Sequence, residues 1–120
     1  MTVYHFDEID WHVPISPGTD VEEAEAAGKL GAGRKFLTQG DSGFYAQIVR
    51  IPPNFTAPDH SHSHAEVFMV LAGTLHMNGV EMKERDMTVV AANDAYGFTT
   101  GPDGAEFLVV RTGAASYAKD

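Results

Sequence analysis

Between Pro58 and Gly73 the chain reads Pro-Asp-His-Ser-His-Ser-His-Ala-Glu and then, without a break, the apolar run Val-Phe-Met-Val-Leu-Ala-Gly. Three of the six histidines are gathered here with a carboxylate close behind. His60 and His62 are one residue apart, and because side chains alternate along a strand, both imidazoles are expected to project from one face. Ser63, His64 and Ala65 allow a tight turn, after which Glu66 enters the next strand and points back at the two rings. That set presents two neutral nitrogens and one anionic oxygen to one side of an ion and leaves other coordination positions open. Non-haem iron is held in this way, and manganese, nickel, cobalt and zinc accept similar ligands. A Ser/His-rich polar loop is the plainer alternative. Against it, the histidines abut an apolar strand and the glutamate falls at the matching offset.

What surrounds this stretch is the composition of one small globular domain. The 120 residues are 43% hydrophobic and 21% charged, enough for a single core. Eight Lys and Arg against 17 Asp and Glu give a net charge of −9, which argues against nucleic acid or an anionic membrane as partner. The chain has no cysteine, so any metal must be held by nitrogen and oxygen. No apolar run approaches a membrane span, and the first residues lack the basic and apolar regions of a signal peptide. A cytoplasmic location is the expectation.

Read in order, Val3 to Trp11 suggests a short edge strand closed by Pro14 and Pro17-Gly18. His5 and His12 have no partner at metal spacing and read as surface or packing residues. Trp11 either caps the core or lines a pocket mouth. Asp20-Val21-Glu22-Glu23 has the form of a helix N-cap with a capping-box glutamate, and Gly28 the form of its stop. From Arg34 the pattern is of strands: Arg34 to Thr38, a turn over Gly40 to Gly43, then Phe44 to Ile51, apolar on both faces. A strand of that kind needs cover outside as well as inside, and a homodimer would supply it. Gln47 lies on the face with Val49 and either reaches a bound substrate or is a surface amide. Glu66, Phe68 and Val70 share a face, Gly73 reads as a break before a strand from Thr74 to Met77, and Asn78-Gly79 signals a two-residue hairpin returning along Val80 to Lys83. His76 falls on the face opposite Leu75 and Met77. Ala95 to Thr100 and Glu106 to Arg111 complete the strands around a Pro102-Asp103-Gly104 turn, and the tail from Ala114 reads as loosely held. Strands at short intervals with almost no helix indicate an antiparallel barrel or jelly roll.

The stretch around the histidines resembles the first motif of the cupin superfamily: Gly, five residues, His-x-His, three or four residues, Glu, six residues, Gly. Here Asn54 stands at the first glycine, followed at the required spacings by His60, His62, Glu66 and Gly73. Asparagine is the next best residue to glycine for a left-handed backbone. The second motif aligns by spacing on Arg85, Ala91, Asn93, Tyr96 and Thr100, none of which is the family residue. Tyr96 stands at the place of the last metal ligand, normally histidine, and His64 is the other candidate to replace it. Trp11-x-x-Pro14 and the Lys35-x-Leu37 strand make the chain similar to small cupins of the acetylacetone dioxygenase and anti-sigma-factor type.

That resemblance implies an all-β double-stranded β-helix over residues 34–112, with residues 1–33 as an N-terminal segment carrying one short helix and 113–120 as a tail. It also implies one divalent transition metal on His60, His62 and Glu66, with Fe(II) favoured and Mn, Ni, Co or Zn as alternatives. Tyr96 would bind the ion as a phenolate, exchange a proton with bound substrate, or only pack. His64 would complete the sphere or sit at the rim. Gln47, Phe68, Val70, Leu75, Met77 and Phe98 would form the wall of a pocket for a small, mostly apolar, oxygen-bearing substrate. The expected activity is of dioxygenase type, with a Lewis-acid isomerase or lyase and a non-catalytic metal or ligand sensor as the other readings.

Overall fold

A computed structural model of the chain describes residues 1–13, 21–114 and 118–119. The expected turn at Pro14 and Pro17-Gly18 and the N-cap at Asp20 lie outside these. The helix itself, α1, runs over Val21–Lys29, passing through Gly28 rather than stopping there. It ends where Gly31, at φ 104°, turns left-handed. Gly31 N–H bonds the Gly28 carbonyl and Ala32 N–H bonds that of Ala27, the paired closure that glycine at this place permits.

Eight strands follow: β1 (Gly33–Asp41), β2 (Phe44–Ile51), β3 (Thr56–Ser61), β4 (Glu66–Met77), β5 (Val80–Lys83), β6 (Met87–Val90), β7 (Tyr96–Arg111) and β8 (Ala118–Lys119). All pair antiparallel in one sheet, which β4 and β7 fold over on itself. Both of these strands are continuous where the sequence suggested breaks. At Gly73 and Gly104, each at φ 73°, they bend and cross so closely that a Cβ on Gly73 would overlap the Gly104 carbonyl. Below that corner β4 and β7 lie with β2, β1 and β6; above it they lie with β5 and β3. The architecture is therefore the expected all-β jelly roll.

Cross-strand partners share a face, so the register shows what each half turns inward. One inner row is Tyr45, Arg111, Glu66 and Val90; the next is Gln47, Val109, Phe68 and Thr88. From the other half, Leu75 pairs with Thr100, Met77 with Phe98, and Tyr96 with His60. Phe68, Val70 and Leu75 are fully buried. Phe68 stacks on Phe107 at 4.2 Å, and Phe98 meets Phe107 edge-on at 5.7 Å, so the middle of the barrel is filled by side chains.

Left-handed residues hold the turns. Ser42 and Gly43, like Asn78 and Gly79, have positive φ at both turn positions, as two-residue hairpins require. Asn54, Arg85 and Asn93 also have positive φ, at 54°, 75° and 66°. These are the three motif-glycine positions at which this chain carries another residue, so the backbone keeps the conformation where the residue type has changed.

The N-terminal residues form a turn of 3-10 helix at Phe6–Glu8 and a single bridge from His12 to Arg34, not the expected strand. They cover the outside of β1 and β2. Lys35 Nζ donates to the Phe6 carbonyl at 2.8 Å and lies 3.7 Å over the Phe6 ring, while Trp11 packs edge-on against Phe6. On β2, Arg50 lies 4.0 Å over the Trp11 ring, while Phe44 stays exposed. On the outer face of β4 and β6, Val67, Leu71, Met87 and Val89 stay exposed. Part of the tail is ordered as well, because β8 pairs with β3 at His60 and Ser61. Among the described residues no helix is long and apolar enough to cross a membrane.

Candidate functional site

The site lies at one end of the interior, where the Glu66–Arg111 row faces the His60–Tyr96 row. His60 lies one residue before the end of β3 and is buried, and His62 follows that strand half-buried. Their ring centroids are 5.0 Å apart, and Tyr96 lies 4.5 Å from His60 and 6.0 Å from His62. The His60 Nδ1–H donates to the Pro58 carbonyl at 2.9 Å, so its Nε2 is the lone-pair nitrogen.

Glu66 is 2% exposed and both its oxygens are engaged. Tyr96 Oη donates to Oε1 at 2.5 Å, and Arg111 Nε donates to Oε2 at 2.6 Å. The carboxylate is thus an ion-pair partner inside the barrel, reaching the imidazoles through Tyr96. Among the described residues no three His, Cys, Asp or Glu side chains gather as a metal-binding group. The structure does not bring His60, His62 and Glu66 together as such a group; each Glu66 oxygen accepts a hydrogen bond instead, from Tyr96 and from Arg111. The residues present offer an ion two imidazoles, and they do not fit the three-ligand arrangement.

Of the three roles open to Tyr96, the structure favours that of a neutral phenol. Burial first, then the charge of Glu66 and the hydrogen bond to it, push the phenol well above its usual value of 10, with Arg111 pulling the other way. A group so placed keeps its proton at neutral pH. His64 turns outward: its Nδ1 meets Ser63 Oγ at 2.9 Å and its ring covers Gly113.

Gln47 is buried rather than a surface amide, and its Oε1 accepts from Arg34 Nη1 at 3.3 Å. Burial, and then the charge of Arg111, lower Arg34 to about 10, still protonated at neutral pH. Sequence reading missed Arg111 and Arg34. The signal for Arg111 was its parity with Phe107 and Val109 on β7, which places all three on the inner face.

Beside this mouth a cleft of about 680 Å³ opens between the β4–β5 hairpin, β6 and the start of β7. Tyr96, Met77, Met82, Thr88, Val90 and Asp94 are among its lining residues. Of the expected wall residues only Met77 lines it. Phe68, Val70, Leu75 and Phe98 belong to the filled core, and Gln47 to the Arg34 contact.

A family model described as "Cupin domain" matches residues 47–111, more than half of the chain. The chain belongs to the cupin family. Similar structures include that of the polyketide cyclase RemF from Streptomyces resistomycificus, at TM-score 0.75 and 19% identity over 99% of this chain and 84% of that one. An RmlC-like cupin from Shewanella frigidimarina aligns at TM-score 0.70 and 18% identity over 95% and 92% of the two chains. The Rhodobacter sphaeroides complex of SigE with the anti-sigma ChrR aligns at TM-score 0.65 and 16% identity over 89% of this cupin and 51% of the matched chain. At these identities the likeness is one of fold. The superfamily includes enzymes and sensors, and its members commonly bind a metal. No curated protein matches the sequence.

Proposed function

We propose that this cupin is an enzyme that moves a proton on a small, mostly apolar, oxygen-bearing molecule such as an enolisable ketone. The observation that supports this most is the buried 2.5 Å hydrogen bond from Tyr96 to Glu66, backed by Arg111 and set against two imidazoles. Glu66 is the base, reached through Tyr96. A proton leaving the substrate carbon is accepted at Tyr96 Oη while the phenol's own proton passes to Glu66 Oε1, so Tyr96 never has to become a phenolate. The reverse relay returns a proton to a neighbouring atom, giving a net tautomerisation. His60, whose ring lies 4.5 Å from that of Tyr96, forms with His62 the polar side of the site, and the apolar core behind it excludes water.

The dioxygenase reading, with iron on His60, His62 and Glu66, requires a Glu66 oxygen that now bonds Tyr96 or Arg111 to serve the ion as well. Two measurements separate the readings. Exchange of deuterium from solvent into a simple ketone, followed by NMR without added metal and corrected for the rate in buffer alone, is expected to be accelerated by the wild type and not by Tyr96→Phe or Glu66→Gln. Exchange that persists in both variants, or oxygen uptake with added Fe(II) that depends on Glu66, would contradict the proton-transfer reading.

A further inference from the structure

The reading above leaves open which molecules reach Tyr96, and the cleft beside it bears on that choice. Its volume of about 680 Å³ lies within the usual range for a small-molecule site. Buried Met77, Met82 and Tyr96 line it together with half-buried Val90, giving it an apolar, polarisable wall. The charged residues that line it, Glu81, Asp86 and Asp94, are all acidic; no Lys, Arg or His is among the lining residues. Two of these acids have local tasks. Asp86 Oδ2 accepts the Lys83 N–H at 3.0 Å, and Glu81 lies 3.9 Å from His76. Asp94 makes no side-chain hydrogen bond or ion pair among the described residues, and it sits two residues before Tyr96 at the same opening.

From this we infer that the cleft is the substrate's seat and selects a molecule with an apolar body and an ammonium-like cationic group. The inference rests on Tyr96 and Glu66 being the chemical centre, and it adds the charge class of the substrate. An aromatic side chain with polarisable thioethers, and a lining whose charges are all carboxylates, attract a poorly hydrated cation. The same carboxylates, in a chain of net charge −9, repel an anion and raise the local concentration of a cation.

A matched trio of probes tests this by amide chemical shifts in the full-length protein: choline, its neutral isostere 3,3-dimethylbutan-1-ol, and the anion 3,3-dimethylbutanoate. Choline is expected to shift Met82, Val90 and Ala95, to bind about tenfold more tightly than the neutral isostere, and to lose much of that advantage in high salt. The anion is expected not to bind. Asp94→Asn should weaken choline about threefold and leave the alcohol unchanged, a loss of the size expected for one exposed charge. Val89→Lys, at an exposed position on the lining, should weaken choline and favour the anion. Equal or tighter binding of the neutral isostere, or shifts that map away from the cleft, would overturn the inference. Tyr96→Phe and Glu66→Gln separate the two ideas. If they retain choline binding but keep full deuterium exchange, the proton-transfer reading fails and the cleft stands; if they abolish exchange while choline never binds, the reverse holds.

Discussion

The middle of the barrel and its mouth are built by the same two strands, two residues apart, and are held by opposite means. On β4, Phe68 and Val70 enter the core while Glu66 enters the mouth; on β7, Phe107 and Val109 do the same while Arg111 does not. Both regions are dry. The core is secured by contact area among Phe68, Phe98 and Phe107, which tolerates any apolar shape of the right volume. The mouth depends on three groups that satisfy one another, Tyr96, Glu66 and Arg111, so that removing one strands another in a medium with no water to replace it. The mouth therefore has chemistry to offer, and the core supplies the rigidity that keeps it in place.

The largest expected effect separates the regions by activity. Tyr96→Phe should lower turnover about 10²- to 10⁴-fold, the usual contribution of a positioned proton-transfer group, while Phe98→Leu should change turnover little; steady-state kinetics on an enolisable ketone reads both.

Stability comes next. Arg111→Met leaves Glu66 buried without its cation and should cost about 3–5 kcal/mol in urea unfolding. Phe68→Ala should cost a similar amount, about 3–5 kcal/mol, through the cavity it opens. The two losses differ in how they are repaired. Adding Glu66→Leu to Arg111→Met should recover most of the stability because the stranded charge is gone, whereas no polar change in the mouth should rescue Phe68→Ala.

A pH series sharpens the contrast. Because Tyr96 has a raised value in the folded state, its stabilising effect is fully present below the unfolded value near 10. It is lost progressively as the pH rises from there through the folded value. The wild type should lose stability above pH about 10 more steeply than Tyr96→Phe, and the difference isolates Tyr96 because Arg34 titrates in both. The core variants should show no such difference.

The smallest effect concerns the turn between β5 and β6, beside the core. Arg85 holds φ 75° with a side chain that disfavours it, and Arg85→Gly should raise stability by about 0.5–1 kcal/mol, with no change in the mouth.

How much of this was legible depended on the range of the interaction. His60, His62 and Glu66 stood out because local spacing encodes a strand and its turn, and the left-handed place of Asn54 and the Asn78-Gly79 hairpin were readable for the same reason. The partner of Glu66 was not, because Arg111 is 45 residues away and a cation ending an apolar strand reads as solvated unless its parity is followed. The breaks expected at Gly73 and Pro102-Asp103-Gly104 are bends in continuous strands, since a glycine permits both and only the crossing of β4 with β7 decides between them. The filled core likewise follows from how two halves of a sheet meet, so Phe68, Val70, Leu75 and Phe98 could not be told from pocket walls by alternation alone.

The most direct test of the account is metal binding by untagged wild-type and Glu66→Gln protein, measured as metal content and as the shift in unfolding temperature with Fe(II) or Zn(II). If Glu66 serves Tyr96 and Arg111, the two proteins should behave alike. One equivalent of metal in the wild type that is lost in Glu66→Gln would show the carboxylate on an ion and contradict the account.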